Sequence, residues 1–196
     1  WTMKIASEAK VDYVTFDGAG GGTGMSPVSM MNEMGTPTVY LESQVLRCIE
    51  LLKKKGKHIP DISMAGGFIN ESQIFKSIAM SNFGNGPYVK AITMARAPIT
   101  AVFKATYYVE LAKQGKLPHT FVERFGTDPS TFFITAQQLK KELGARFNDV
   151  PPAAIGLYTY LTDRIGVGLR QLMAGVRKWK LELIDRGDLT ALTEHA

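Results

Sequence analysis

Cysteine and histidine are scarce in this sequence of 196 residues. It has one cysteine, Cys48, and three histidines, His58, His119 and His195, which share no metal-ligand spacing. One cysteine cannot form a disulfide within a chain, and such sparing use suits a reducing compartment. These shortages exclude a disulfide-stabilised fold and a cysteine-based zinc site, so we expect a cytoplasmic protein without a metal.

Long hydrophobic runs are also missing. No apolar stretch approaches the roughly 20 residues of a membrane-spanning helix, and no charged segment leads into an apolar one as in a secretory leader. The charge is modestly positive, with 23 Lys and Arg against 18 Asp and Glu. The basic residues fall mainly in helix-like stretches such as "LLKKKGKH", which is typical of a solvated helix surface. We therefore expect neither a membrane nor a nucleic acid among the partners.

What the sequence does contain is an alternation of strand and helix patterns. Three short segments rich in β-branched and aromatic residues predict strands over Val11–Phe16, Asp61–Ala65 and Val89–Ala95. Helical patterns follow them, including "ESQVLRCIELLKKKG" and "ESQIFKSIAM", the second with Asn70 as its N-cap. Strands that alternate with helices predict an α/β fold whose parallel sheet is covered by helices. Parallel strands are usually buried on both faces, and we expect that here.

The pattern changes after Gly115. A polar, proline-containing connection leads to helical patterns around Ile134–Leu143 and Ala154–Lys180, and we find no further strand pattern there. The sequence therefore predicts an α/β portion over residues 1–115 and an all-helical extension over residues 116–196.

Glycine or small residues follow each predicted strand. The segments are "DGAGGGTG", "AGGF" and "ARAP". The carboxyl ends of parallel strands meet at one edge of the sheet, where ligands bind. Glycine allows backbone N–H groups to approach a ligand closely, and a helix N-terminus favours an anion. The alternative is tight packing between helix and strand without a ligand. The run is not a dinucleotide fingerprint, because it lacks the third glycine of G-x-G-x-x-G.

Two further residues at this edge have predicted roles. Ser26 is expected to cap a short helix that has Pro27 at its first position. Glu42 stands at the predicted start of the next helix. It is either a carboxylate of the site or a charge that favours the first helical turn, and the sequence leaves both interpretations open.

These segments resemble a known family. "VDYVTFDGAGGGTGMSP" resembles the strand-six loop of the FMN-binding barrel domain of glutamate synthases and their relatives, which carries G-G-T-G-x-[SA]-P. "PDISMAGGFINESQIFKSIAMSNFG" resembles strand seven with its helix, and "VKAITMARAPITAV" resembles strand eight. The stretch "AIGLYTYLTDRIGVGLRQLMAG" resembles the C-terminal helices of these proteins. The resemblance implies the last three βα units of a (β/α)8 TIM barrel, followed by a helical appendage.

The resemblance also implies a cofactor and a reaction. The cofactor would be FMN, and the reaction would be the reductive amination of 2-oxoglutarate to L-glutamate, with an ammonia source and an electron donor as partners. The implied cofactor-binding residues are Asp17, Gly18, Gly22, Thr23 and Gly24 near the flavin ring, and Gly66, Gly67, Ala95 and Arg96 at the phosphate. No individual catalytic residue is indicated.

Three departures from the family limit what the resemblance implies. The segment after the third strand has no cysteines, so we do not expect the family's iron–sulphur cluster. Gly20 stands where the family has an acidic residue. Three strands are present where a closed barrel has eight, so this stretch alone is expected to be inactive, and its unpaired sheet edges favour self-association into a homo-oligomer. The alternatives are an FMN barrel oxidoreductase with another substrate, or a non-catalytic homologue that binds a phosphate ligand.

Overall fold

The computed structural model describes residues 1–22 and 27–192. The predicted cap Ser26 and the predicted site residues Thr23 and Gly24 lie outside these ranges. The described chain forms two compact units. The first comprises residues 1–94 together with the C-terminal stretch from residue 169, and the second comprises residues 95–168. The predicted boundary after residue 115 stays a prediction.

The first unit contains one parallel sheet within the described residues. Its three strands lie in the order β1-β2-β3, with Tyr13 opposite Asp61 and Asp17 opposite Ala65. The elements are α1 (Thr2–Glu8), β1 (Tyr13–Asp17), α2 (Thr38–Lys54), β2 (Asp61–Ala65), α3 (Glu71–Met80) and β3 (Val89–Ile92), and a π-helical turn (Met30–Met34) precedes α2. The predicted α/β class, with three consecutive βα units in one parallel sheet, is confirmed.

The central strand β2 carries most of the core of the sheet. Ile62 and Met64 are fully buried, because β2 has a strand on each side. In β1 half-buried and exposed residues alternate, so the expectation of burial on both faces is wrong for this edge strand. The apolar faces of the helices complete the core, and their buried residues are Val45, Leu46 and Ile49 of α2 and Ile74, Phe75 and Ile78 of α3.

The element boundaries agree with the prediction where local signals are strong. Helix α3 spans Glu71–Met80 as predicted, and the Asn70 side chain accepts a hydrogen bond from the Gln73 N–H at 2.9 Å. Helix α2 begins at Thr38, four residues before the predicted start. Strand β3 ends at Ile92 rather than Ala95, because the chain turns into the next helix at Arg96.

The second unit consists of helices joined by turns and has no strand among its described residues. It contains α4 (Arg96–Lys113), α5 (His119–Phe125), α6 (Ala136–Leu143) and α7 (Pro152–Tyr158), with a π-helix (Thr159–Val167) after α7. Helices α4 and α7 approach closely, since a Cβ built on Gly156 would lie 2.4 Å from the Ala105 Cβ. Aromatic rings fill the space beside them. The Tyr108 and Phe121 rings stack with centroids 4.3 Å apart.

The C-terminal stretch belongs to the core of the first unit. The predicted helix over Ala154–Lys180 ends earlier, since α8 (Gly168–Gly175) is followed by Arg177 in the left-handed conformation at φ +58°. Beyond it, Ile184 is fully buried. The Asn82 amide donates to the Glu182 and Ile184 carbonyls at 3.0 and 2.7 Å. The chain after α8 thus packs against the end of α3 and the turn that follows it.

Candidate functional site

The loops after β1 and β2 pack directly against each other at the carboxyl edge of the sheet. The Gly18 N–H donates to the Ala65 carbonyl at 3.1 Å, which extends the ladder by one bond. A Cβ on Gly20 would lie 2.9 Å from the Gly66 carbonyl oxygen, and a Cβ on Gly67 would lie 2.8 Å from the Gly20 carbonyl oxygen. Side chains at these positions would separate the loops. Contact between the loops therefore explains why these positions are glycine.

Gly66 and Gly67 also have a backbone conformation that L side chains rarely adopt. Their φ angles are +114° and +84°. The Thr38 hydroxyl, in the first turn of α2, donates to the Gly66 carbonyl at 2.5 Å and holds this loop. Neither the Gly66 N–H nor the Gly67 N–H donates to a backbone carbonyl within the described ranges. Consecutive N–H groups without a carbonyl partner suit an anion such as a phosphate.

The other predicted residues of the first loop lie at the same edge. Asp17 is the last residue of β1 and is exposed, whereas Gly18 is buried. The Asp17 carboxylate covers the Gly21 backbone, because a Cβ on Gly21 would lie 2.6 Å from Asp17 Oδ1. Gly22 is half-buried and has a positive φ of +59°. The structure therefore brings Asp17, Gly18 and Gly22 to the edge that carries Gly66 and Gly67.

Ala95 and Arg96 belong to the second unit. Ala95 is the N-cap of α4, and Arg96 is the first residue of that helix of 18 residues. No side chain caps this helix start within the described residues. Its first backbone N–H groups thus present the partial positive charge of a helix N-terminus.

A cavity of about 220 Å³ lies between α2 and α3, beside the loop after β2. The residues that line it include Gly66, Gly67, Glu42, Lys76 and Ser77. Sequence reasoning did not single out Ser77, which stands inside the apolar stripe of α3. A polar residue among buried apolar positions of a helix is the signal that could have found it.

Glu42 is the most unusual side chain of this cavity, with only 2% of its surface exposed. Burial raises the pKa of its carboxyl to about 7, while the nearby Ser77 hydroxyl and the positive charge of Arg186 oppose the rise. Glu42 Oε1 and Ser77 Oγ are nevertheless buried without a hydrogen-bond partner of good geometry among the described residues. Because α2 begins at Thr38, Glu42 lies beyond the first turn. The helix-start interpretation of Glu42 is therefore wrong.

Residues 1–22 and 27–192 contain neither a cluster of metal-binding side chains nor a helix that could cross a membrane. Among those residues, no three His, Cys, Asp or Glu side chains come together as a metal site would require. Over the same residues, every helix is too short or too polar to span a bilayer.

In α/β proteins, glycine loops at the carboxyl edge of a parallel sheet are an arrangement that can offer backbone N–H groups to an anion. Residues 2–94, which include all three strands, match the family described as the conserved region in glutamate synthase. This part of the chain is a glutamate synthase-related domain, as the resemblance predicted.

Curated relatives agree with this assignment. The chain is 34% identical over 76 residues to the archaeal-type glutamate synthase [NADPH] of Thermotoga sp. (strain RQ2) and to that of Thermotoga maritima. The protein of that name from Thermotoga neapolitana is 33% identical over 73 residues. The alignments cover 37–38% of this chain, and the chain spans about 14% of the length of these relatives. No solved structure matches the chain.

Proposed function

We propose that this chain is part of a cytoplasmic, FMN-dependent oxidoreductase that converts 2-oxoglutarate and ammonia into L-glutamate. The observation that carries the proposal is the pair of backbone N–H groups at Gly66 and Gly67, at the carboxyl edge of a glutamate synthase-related sheet. The names of the matched relatives support the reaction. They describe those proteins as using NADPH, whereas the electron donor of this one is open.

The residues present fit an anionic cofactor. Gly67 is exposed and Gly66 is half-buried, so the loop after β2 is accessible to a phosphate. We assign the phosphate to these two N–H groups. The part that the resemblance implies for Ala95 and Arg96 stays a prediction. FMN, when bound, would supply the hydride chemistry. The chain itself would position the cofactor.

The first loop would border the substrate side of the site. Asp17 ends β1, and Gly18, Gly22, Thr23 and Gly24 come after it in the sequence. Gly20 leaves this loop without the acidic residue of the family, so the Asp17 carboxylate is its remaining negative charge. Because the chain has one cysteine, electrons would reach the flavin without an iron–sulphur cluster bound by this segment.

The visible absorption spectrum of the full-length protein that contains this chain tests the proposal, with the 196-residue chain measured beside it. Gly67→Ala should abolish the oxidised-flavin bands, because its Cβ would meet the Gly20 carbonyl. The matched control is Gly56→Ala, at φ +60° with no atom within 4 Å of the added Cβ. Both substitutions cost about 1–2 kcal/mol of backbone strain. They differ in that only the Cβ at position 67 collides with a neighbouring backbone atom.

A full-length protein that stays colourless after incubation with FMN contradicts the proposal. Where flavin is bound, product analysis with 2-oxoglutarate and ammonium should detect L-glutamate when the flavin is chemically reduced first. Flavin that is not reoxidised by this pair would point to an FMN oxidoreductase with another substrate.

A further inference from the structure

Thr38 contacts both of the glycine loops that meet at the carboxyl edge of the sheet. Its hydroxyl donates to the Gly66 carbonyl at 2.5 Å, and a Cβ built on Gly18 would lie 2.6 Å from the Thr38 Cα. Two residues earlier, the Thr36 carbonyl accepts a hydrogen bond from the Ala19 N–H at 2.8 Å. The start of α2 is therefore joined to the loop after β1 and to the loop after β2.

The bond from Thr38 determines which way the peptide between Gly66 and Gly67 faces. The described residues contain no cis peptide bond, and in a planar trans peptide the carbonyl and the N–H point in opposite directions. Because Thr38 holds the Gly66 carbonyl, the Gly67 N–H faces away from that hydroxyl. Glycine adopts many backbone conformations readily, so a peptide between two glycines turns over easily. The bond from Thr38 selects one of its two orientations.

The selected orientation is the one that suits an anion. Gly67 is exposed, and its N–H donates to no backbone carbonyl within the described ranges. In the opposite orientation a carbonyl oxygen would take the place of this N–H. A carbonyl oxygen only accepts hydrogen bonds, so it offers no donor to a phosphate. The Thr38 hydroxyl thus keeps a donor available where the loop is open to a ligand.

We propose that Thr38 is a positioning residue for the phosphate of the flavin. Its hydroxyl keeps the Gly67 N–H directed at the phosphate, and this contributes to a preference for FMN over riboflavin, which lacks that group. The inference rests on the proposed function, because it takes the phosphate to lie at Gly66 and Gly67. Thr38 acts through the loop, so its effect should be confined to flavins that carry a phosphate.

Flavin titrations of the flavin-free, full-length protein test the proposal, with FMN and riboflavin as ligands and quenching of flavin fluorescence as the readout. The wild type should bind FMN at least about tenfold more tightly than riboflavin, as expected for hydrogen bonds to a charged group. Thr38→Val removes the hydroxyl and keeps the branched shape. It should lower this preference about two- to tenfold, the effect of one neutral hydrogen bond, with riboflavin affinity unchanged.

Two further variants isolate the hydroxyl of Thr38. Thr38→Ser keeps the donor and should retain the preference of the wild type for FMN. Thr106→Val is the matched control, because the Thr106 hydroxyl also donates to a backbone carbonyl, that of Val102 at 3.1 Å, but within helix α4. The same chemical change at that position should alter the affinity for neither flavin.

The outcomes separate this inference from the proposed function. If the wild type prefers FMN and Thr38→Val keeps that preference, or loses affinity for both flavins equally, the positioning role is refuted and the proposed function stands. Loss of the preference in Thr38→Ser as well would refute the role of the hydroxyl. A wild type that binds FMN and riboflavin equally, or binds neither, refutes the phosphate site at Gly66 and Gly67 and the role of Thr38 with it.

Discussion

At the scale of single residues, Glu42 is the side chain whose environment most strongly changes its chemistry. Its carboxyl is buried between two helices, where water cannot solvate the charged form. The same burial makes the ionised carboxyl a cost to the folded state at neutral pH. A buried carboxyl with a strongly raised pKa is common at functional sites.

As the pH rises from 4.5 to about 7, the ionisation of Glu42 should therefore lower the stability of the 196-residue chain. The folded state holds a proton on Glu42 that the unfolded state has released, because the pKa is raised from 4.5 to about 7. The stabilisation is fully present below the pKa of Glu42 in the unfolded state. It is lost as the pH rises through the pKa of Glu42 in the folded state. Comparing pH 5 with pH 8, the free energy of unfolding should change by about 2–3 kcal/mol relative to Glu42→Gln.

Urea unfolding followed by circular dichroism at both pH values measures this difference. All other titrating groups are shared by the two proteins, so the comparison isolates Glu42. The Glu50→Gln variant should follow the wild type. A pH dependence of Glu42→Gln identical to that of the wild type would show that the carboxyl is not buried as described.

At the scale of elements, α3 shows how a local signal fixes a helix start. The Asn70 side chain occupies the N-cap and satisfies the Gln73 N–H, and Glu71 adds a negative charge in the first turn. Helix α2, by contrast, has Pro37 at its N-cap and no side-chain cap among the described residues. Its start is fixed by the bond from Thr38 to the loop after β2, which no local pattern reveals.

Replacing the cap should destabilise the chain measurably. We expect Asn70→Ala to lower the free energy of unfolding by about 1 kcal/mol, because the Gln73 N–H loses its acceptor. Asn70→Asp keeps an acceptor oxygen at the same position and should stay within a few tenths of a kcal/mol of the wild type. Urea unfolding of the two variants side by side checks this, and equal losses in both would mean that the cap bond contributes nothing.

At the scale of the whole molecule, the C-terminal stretch completes the first unit. Ile184 is fully buried, and Asn82 binds the backbone around it across about a hundred positions of sequence. Arg186 adds a bond from its Nε to the Met80 carbonyl at 2.7 Å and lies 3.7 Å from the Phe83 ring centroid. These contacts join the end of the chain to α3 and the turn after it.

Truncating this anchor should loosen the first unit selectively. Ile184→Ala is expected to cost about 2–5 kcal/mol through the cavity that it leaves, whereas Leu183→Ala, at a side chain that is 49% exposed, should cost about 0.5 kcal/mol or less. Hydrogen exchange followed by mass spectrometry should show faster exchange in α3 and β3 of Ile184→Ala. Exchange in α4 and α7 should stay unchanged, and equal effects of both variants would contradict the anchoring role.

The sequence by itself determined the α/β class, the bounds of β2 and α3, and the apolar stripe of α3. It also determined the glutamate synthase relationship. These features follow from signals within a few residues of one another: a strand of apolar residues, a capping asparagine, and glycines that follow strands. The same signals placed Asp17, Gly18, Gly22, Gly66 and Gly67 at one edge of the sheet, because parallel strands share their carboxyl ends.

Only the tertiary structure decided that Glu42 is not a charge of the first helical turn, where α2 begins, and that the last described residues belong to the first unit. Each depends on contacts between segments far apart in sequence: Thr38 with Gly66, Glu42 with the face of α3, and Ile184 with Asn82. The free energy of such contacts comes from burial and hydrogen bonds that exist only once the chain has folded, and a local pattern does not contain them.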